Sequence, residues 1–232
     1  MTETVVLGPF SALIFDQDGT LLDAEAMHCE SWRKVGEAVG SPFDEALFRS
    51  FAGKGDPAIA AHVANGCAVS ADELIERKRS HYRQHLDEIE LMPGARAFLE
   101  LARAAGMTLA LATISPEAET RRAVQNHGLD ALLSAVVHRE SEVPGRVGQT
   151  VRSKPAPDIY LAAAALLGVD PSRCCAFEDS LTGVQAARAA GMAVVAIPTP
   201  YSRHFDYSAA SAVARSFSQI NVDALGQVTV ER

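Results

Sequence analysis

The chain has 232 residues, of which 48% are hydrophobic and 22% are charged, a composition typical of a globular protein with a substantial core. The 21 Lys and Arg residues against 29 Asp and Glu residues give a formal net charge of −8, which argues against a broad basic surface for nucleic acid. The apolar runs fall well short of the roughly 18 residues that predict a membrane span, so we expect no membrane partner.

The start of the chain and its cysteines bear on the cellular compartment. Residues 1–6 contain an acid and no basic stretch, unlike a secretory signal peptide. The four cysteines form no C-x-x-C pair and are too few for a disulfide scaffold. We therefore expect reduced cysteines and a cytoplasmic protein.

Short apolar runs alternate with stretches of helical periodicity along most of the chain. In two of these stretches, which begin at Phe98 and Ile159, apolar residues recur every three or four positions, and a glycine follows. This alternation predicts a parallel sheet flanked by helices, an α/β fold with a Rossmann-like core. The predicted strands are 12–15, 108–113, 135–137, 174–177 and 193–197.

The segment 24–90 interrupts that alternation, because it lacks a convincing strand. We interpret it as an inserted helical cap domain, with residues 1–23 and 91–232 forming the core domain. Two linkers would join the domains, which predicts a hinge and a cleft between them. The predicted helical stretches of the cap are roughly 25–39, 56–65 and 71–88.

The polar segment 138–153, which contains one proline and two glycines, is longer than most connections within a domain. Two interpretations are open for it. One is a mobile lid that uses Arg139, Arg146 or Arg152, and the other is a disordered surface excursion.

Polar residues follow three of the predicted strands, at the sheet edge where open parallel sheets bind ligands. These residues are 16–20, 113–115 and 178–180. Because like charges disfavour ionisation, acids that meet at one edge predict a bound cation, and oxygen ligands favour Mg²⁺. The acids concerned are Asp16, Asp18, Glu178 and Asp179.

Helix caps and several well-known binding motifs fit these residues less well than a metal site does. Helix capping accounts for one acid or serine at a strand end, but it does not account for Asp16 and Asp18, which repel each other. An EF-hand loop that starts at Asp16 would need glycine sixth, whereas Gly19 is fourth. The chain also lacks the glycine-rich turn of a dinucleotide or Walker A site and the elbow of a serine hydrolase.

These residues resemble the four motifs of the haloacid dehalogenase superfamily, in the family's order and over nearly the whole chain. The helical insert resembles the cap of the branch that includes β-phosphoglucomutase, phosphoglycolate phosphatase and sugar-phosphate phosphatases. The motif residues are Asp16-x-Asp18-Gly19-Thr20-Leu21, Thr113, Lys154-Pro155-Ala156-Pro157-Asp158 and Glu178-Asp179-Ser180 with Gly183.

The resemblance implies an enzyme that acts on phosphate esters. Asp16 would be the nucleophile that forms an aspartyl-phosphate, and Asp18 would be the general acid and base. Asp16, the backbone carbonyl of Asp18, Glu178 and Asp179 would hold Mg²⁺.

The resemblance also implies a set of phosphate-binding residues. Thr113 and Lys154 would contact the transferring phosphoryl group, together with backbone N–H groups that follow Asp16 and Thr113. The residues that offer these groups are Gly19, Thr20, Ile114 and Ser115. Gln17 departs from the pattern, since family members usually have an apolar residue there.

The predicted cap leaves the choice of function open. His28 and Lys78 match positions at which β-phosphoglucomutase carries a His and a Lys, which makes them candidate substrate-binding residues. Asp56 stands where the mutase has an Arg that binds the non-transferring phosphate, although Lys54 could replace that Arg. We therefore expect a Mg²⁺-dependent phosphatase of a small phosphorylated metabolite, with a β-phosphoglucomutase-like phosphohexomutase and a non-catalytic phospho-ligand binding module as alternatives.

Overall fold

The computed structural model describes residues 4–231, which form two compact units. The first unit contains the described residues up to Leu22 and from Leu91 onward, and the second is Asp23–Glu90. This division differs by one residue from the predicted boundary after residue 23. Residues 1–3, on which part of the targeting prediction rests, lie outside the described part of the chain.

The first unit contains all of the β-strands found between residues 4 and 231. They are β1 (Thr4–Leu7), β2 (Ala12–Phe15), β3 (Thr108–Ala112), β4 (Ala135–Val137), β5 (Cys174–Glu178), β6 (Ala193–Ala196), β7 (Ala212–Val213), β8 (Ile220–Val222) and β9 (Val228–Glu231). Strands β2 to β7 form a parallel six-stranded sheet in the order β4-β3-β2-β5-β6-β7, and β1, β9 and β8 form a small antiparallel sheet. The predicted α/β fold class is confirmed, whereas the small sheet was not predicted.

Helices belong to both units. The second unit contains α1 (Glu25–Ala38), α2 (Glu45–Ser50), α3 (Gly55–Val63) and α4 (Ala71–Gln84), and the first contains α5 (Ala95–Ala104), α6 (Glu117–Asn126), α7 (Asp158–Leu167) and α8 (Leu181–Ala189). In the part of the chain that the structure describes, every helix is too short or too polar to cross a bilayer.

Side chains on the parallel sheet alternate between its two faces, and the alanines of β2, β3 and β5 lie on one of them. One face carries large side chains, and the rings of Phe15 and Phe177 stack on it with their centres 4.8 Å apart. Phe98 of α5 packs against both rings. The other face carries small residues such as Ala12 and Ala176, and the buried sides of α7 and α8 pack there.

The strand order places the end of β2 at a ligand-binding position. β2 lies between β3 and β5, and the chain moves outward on one side of β2 before it returns to the other side. Phe15 pairs with Leu111 of β3 and with Phe177 of β5, so the three strands end at the same level. In open α/β sheets, ligands bind at such a reversal of strand order.

The second unit has its own hydrophobic core around the fully buried Trp32. Helices α1, α3 and α4 correspond to the three predicted helical stretches. The prediction omitted α2, which has six residues and is too short to show a clear periodicity. Its start is marked by Asp44, whose side chain accepts a hydrogen bond from the backbone N–H of Leu47 at 2.8 Å.

The segment 138–153 folds back on itself as a hydrogen-bonded arm on the first unit. The backbone N–H of Val143 donates to the carbonyl of Gln149 at 2.7 Å, and that of Val151 donates to the carbonyl of Ser141 at 2.9 Å. The two sides of the arm therefore run antiparallel. The interpretation of this arm as a lid remains a prediction.

Candidate active site

Three buried carboxylates meet at the end of the central strands. Asp16 follows β2 directly, Glu178 ends β5 and Asp179 comes next in the chain. An oxygen from each lies within 4.8 Å of the other two. Among residues 4–231, this is the one group of three or more His, Cys, Asp or Glu side chains with the proximity that a metal site needs.

One ammonium group lies among these acids. Lys154 Nζ donates to Asp16 Oδ1 at 2.5 Å and to Glu178 Oε1 at 2.5 Å, and the lysine side chain is 5% exposed. Burial would lower the pKa of Lys154, but the two carboxylates outweigh that effect and raise the pKa above its ordinary value. The structure therefore keeps Lys154 charged.

The acids outnumber the positive charge beside them. Burial, opposed by Lys154 and reinforced by Glu178 and Asp18, raises the pKa of Asp16 to about 7. A carboxylate cluster that one lysine does not neutralise, built from hard oxygen donors, suits a divalent cation such as Mg²⁺. The residues present fit that ion.

The Glu178 carboxylate is held from several directions. Its Oε1 accepts hydrogen bonds from Lys154 and from the hydroxyl of Tyr160, and its Oε2 accepts one from Ser180 Oγ at 3.0 Å. A Cβ atom on Gly183 would lie 1.9 Å from this carboxyl group. The motif glycine in α8 is therefore required because it leaves room for Glu178.

Tyr160 is a site residue that the sequence analysis did not single out. It lies in the first turn of α7, six residues after Lys154, and its side chain is fully buried. Burial and the neighbouring Glu178 raise the pKa of its hydroxyl well above the ordinary value. The hydroxyl therefore stays protonated and donates a hydrogen bond to Glu178 Oε1. The only sequence signal is its position just beyond the Lys-Pro motif.

Asp179 is fixed through both its backbone and its side chain. Its carbonyl oxygen accepts hydrogen bonds from Ser202 Oγ at 2.9 Å and from the hydroxyl of Tyr207. Its Oδ1 lies 3.5 Å from Thr20 Oγ1, and a Cβ on Gly19 would lie 2.5 Å from Oδ2. Ser202 and Tyr207 lie beyond β6, where no motif marks them, so sequence reasoning missed both.

Asp18 lies next to this cluster and has different partners. Ser115 Oγ donates to Asp18 Oδ2 at 2.6 Å, and Gln17 Nε2 donates to Asp18 Oδ1 at 3.2 Å. The backbone N–H of Ser115 donates to Thr113 Oγ1 at 3.0 Å. Thr113 is buried, whereas Ile114 is exposed. The turn after β3 thus brings Ser115 to the predicted acid/base.

The remaining predicted substrate residues, His28, Lys54 and Lys78, belong to the second unit. Lys78 Nζ lies 3.0 Å from Asp56 Oδ1. Burial would raise the pKa of Asp56, but Lys78 outweighs that effect and lowers the pKa, so the Asp56 carboxyl group is ionised. The ring of His28 stacks on that of Tyr82 with a centre-to-centre distance of 4.2 Å, and Lys54 is exposed. Of the two lysines, Lys78 already has a compensating acid.

Comparison with known proteins agrees with this geometry. A family model described as a haloacid dehalogenase-like hydrolase matches residues 10–191. The chain is 34% identical over 215 residues to protein CbbY of Rhodobacter capsulatus, which covers 86% of this chain and 90% of that protein. It is 32% identical over 187 residues to a phosphorylated carbohydrates phosphatase of Thermotoga maritima, with 78% and 82% covered.

A solved structure shows the same likeness. A CbbY variant from Rhodobacter sphaeroides, in complex with xylulose 1,5-bisphosphate, superimposes with a TM-score of 0.75 at 25% identity. The superposition covers 90% of this chain and 96% of that chain. The segment matched by the family model includes the site residues from Asp16 to Gly183, whereas Ser202 and Tyr207 lie beyond it.

Proposed function

The chain belongs to the haloacid dehalogenase-like hydrolases, and we propose that it is a Mg²⁺-dependent phosphoric monoester hydrolase that acts on small phosphorylated metabolites, above all sugar phosphates. The observation that carries the proposal is the buried cluster of Asp16, Lys154, Glu178 and Asp179 at the carboxyl ends of β2 and β5. The related phosphatase of phosphorylated carbohydrates supports the substrate class.

In the proposed reaction, Asp16 is the nucleophile. A carboxylate oxygen of Asp16 attacks phosphorus, the bond from phosphorus to the ester oxygen breaks, and an aspartyl-phosphate forms. Asp18 gives a proton to the departing oxygen and later takes one from the water that hydrolyses the intermediate. Lys154, 2.5 Å from Asp16 Oδ1, orients the nucleophile and offsets negative charge as the phosphate approaches.

The metal ligands follow from the same cluster. Asp16, Asp179, Glu178 and the backbone carbonyl of Asp18 would hold Mg²⁺. When bound, the ion supplies the positive charge that allows an anionic nucleophile to meet an anionic phosphate. Ser202 and Tyr207 support this arrangement from the protein side, because they hold the carbonyl of Asp179.

The pairing of Lys78 favours the phosphatase over the phosphohexomutase alternative. A phosphohexomutase has to bind a sugar that carries a second phosphate group. In the second unit, the charge of Lys78 is compensated by Asp56 at 3.0 Å, which lowers its value as a partner for a second phosphate. A sugar that carries one phosphate and otherwise neutral hydroxyl groups suits this composition better.

The proposal is tested by phosphate release from a panel of phosphorylated metabolites with and without Mg²⁺. The panel includes both glucose phosphates and phosphoglycolate, and conversion of glucose 1-phosphate to glucose 6-phosphate is followed in parallel. We expect metal-dependent release from sugar phosphates, loss of it in Asp16→Asn, and full activity in the exposed control Asp130→Asn. Isomer conversion with little release would identify the mutase instead, and activity retained by Asp16→Asn would refute Asp16 as the nucleophile.

A further inference from the structure

Gln17 is a buried polar side chain between two acids of the site. It is 2% exposed, and its Nε2 donates to Asp18 Oδ1 at 3.2 Å. Within residues 4–231, its Oε1 accepts no hydrogen bond. Burial of an amide group costs free energy unless its polar atoms are bonded. The hydrogen bond to Asp18 is the described interaction that offsets part of this cost. It also links Gln17 to the predicted acid/base.

We propose that Gln17 is a positioning residue that, together with Ser115, sets the orientation of the Asp18 carboxylate for proton transfer, an inference that rests on the proposed function. The two donors bind different oxygens, since Ser115 Oγ lies 2.6 Å from Oδ2 and Gln17 Nε2 lies 3.2 Å from Oδ1. Rotation of the carboxylate about its last side-chain bond breaks two hydrogen bonds when both oxygens are held and one when a single oxygen is held, so the second donor narrows its orientation. Proton transfer depends on that orientation.

The bond is also independent of the arm 138–153 and of the second unit, because Gln17 and Asp18 are neighbours in the chain. The backbone carbonyl of Gln17 accepts hydrogen bonds from the N–H groups of Leu21 and Leu22, both at 2.9 Å. The turn that carries the two acids thus also fixes the backbone of Gln17. Its side chain then needs to adopt only its own rotamer to reach Asp18 Oδ1.

The test compares two esters that differ in their need for a proton donor. The p-nitrophenolate ion leaves phosphorus readily as an anion, whereas phenolate departs more easily when it receives a proton. The ratio kcat/KM reports the steps up to departure of this group. With Mg²⁺ present, Gln17→Met should lower kcat/KM for phenyl phosphate roughly tenfold and change that for p-nitrophenyl phosphate by less than about twofold.

Two controls separate positioning from general damage. Gln125→Met removes an exposed amide on α6 and should leave kcat/KM unchanged for both esters. In an Asp18→Ala background, Gln17→Met should cause no further loss with phenyl phosphate, because the group that it positions is gone. Thermal unfolding of each variant verifies the fold, and Gln17→Leu replaces Gln17→Met if the latter does not fold.

The proposal is overturned if Gln17→Met lowers kcat/KM equally for both esters, leaves both unchanged, or adds a further loss in the Asp18→Ala background. These outcomes are distinct from failure of the proposed function. That failure would appear in the unmodified protein, as no Mg²⁺-dependent release of phosphate from either ester, or as full activity of Asp16→Asn.

Discussion

Replacement of Asp16 by Asn tests the electrostatics of the site independently of activity. Burial raises the pKa of Asp16 from its ordinary value of 3.8 to about 7. One pKa unit corresponds to about 1.4 kcal/mol, so keeping this carboxylate ionised in the metal-free protein costs at most about 4 kcal/mol above pH 7. Asn has nearly the same shape and carries no charge, and therefore removes that cost.

The expected pH dependence has a definite sign. Between pH 3.8 and about 7 the folded protein keeps a proton on Asp16 that the unfolded chain has released. The free energy of unfolding contributed by Asp16 therefore falls as the pH rises through this window and levels off above it. Asp16→Asn should match the wild type below about pH 4. At pH 8 it should be more stable by roughly 1 to 3 kcal/mol, since Lys154 also loses one carboxylate partner.

Urea unfolding in the presence of a chelator, at pH 5 and at pH 8, measures the difference in free energy of unfolding between Asp16→Asn and the wild type. The exposed variant Asp130→Asn is the control for loss of one negative charge. Addition of Mg²⁺ should then stabilise the wild type more than Asp16→Asn, because binding to the folded state adds to stability. A variant less stable than the wild type at pH 8, or a stability difference that does not change with pH, would refute the assignment of the raised pKa to Asp16.

Three further substitutions test residues that contact the acids of the site. Gly183→Ala should destabilise the protein by about 1 to 3 kcal/mol and abolish activity, because the added methyl group would overlap the Glu178 carboxyl; wild-type behaviour in denaturation and turnover would contradict this. Tyr207→Phe should weaken Mg²⁺ binding in calorimetry by loosening the Asp179 carbonyl, and an unchanged affinity would show that the hydroxyl is not needed. Lys154→Ala should tighten binding of Mg²⁺ alone and weaken binding of inorganic phosphate, so a parallel loss of both would count against its placement among the acids.

The parallel sheet and the residues at its edge could be predicted because both have local signatures. Buried parallel strands appear as short apolar runs, and the acids that follow them, such as Asp16 and Glu178, stand out by their position. The small antiparallel sheet of β1, β8 and β9 was missed although its strands, with three or four residues each, are as long as β2, β4 and β6. Their pairing joins the two ends of the described chain, and a local pattern cannot reveal such a contact.

The residues that hold the acids of the site in place could not be predicted, for a related reason. Ser202 and Tyr207 act through the backbone carbonyl of Asp179, and a hydroxyl that binds a distant carbonyl leaves no pattern in the sequence. The compensation of Lys78 by Asp56 is equally invisible, because it joins α3 and α4 across 22 positions of the chain. Sequence reasoning identified Lys78 as a candidate substrate residue, and only the structure shows its ion pair.

The small residues on one face of the sheet also determine where the charge of the site lies. Because this face carries alanines such as Ala12 and Ala112, α7 packs closely on it and buries the ring of Tyr160 among them. The hydroxyl of that ring binds Glu178, and Lys154 Nζ lies 5.3 Å from the ring centre. A larger side chain at one of these alanines would displace α7 and, with it, the lysine that meets Asp16. A substitution at one of these alanines would therefore change both the packing of the core and the charge next to Asp16.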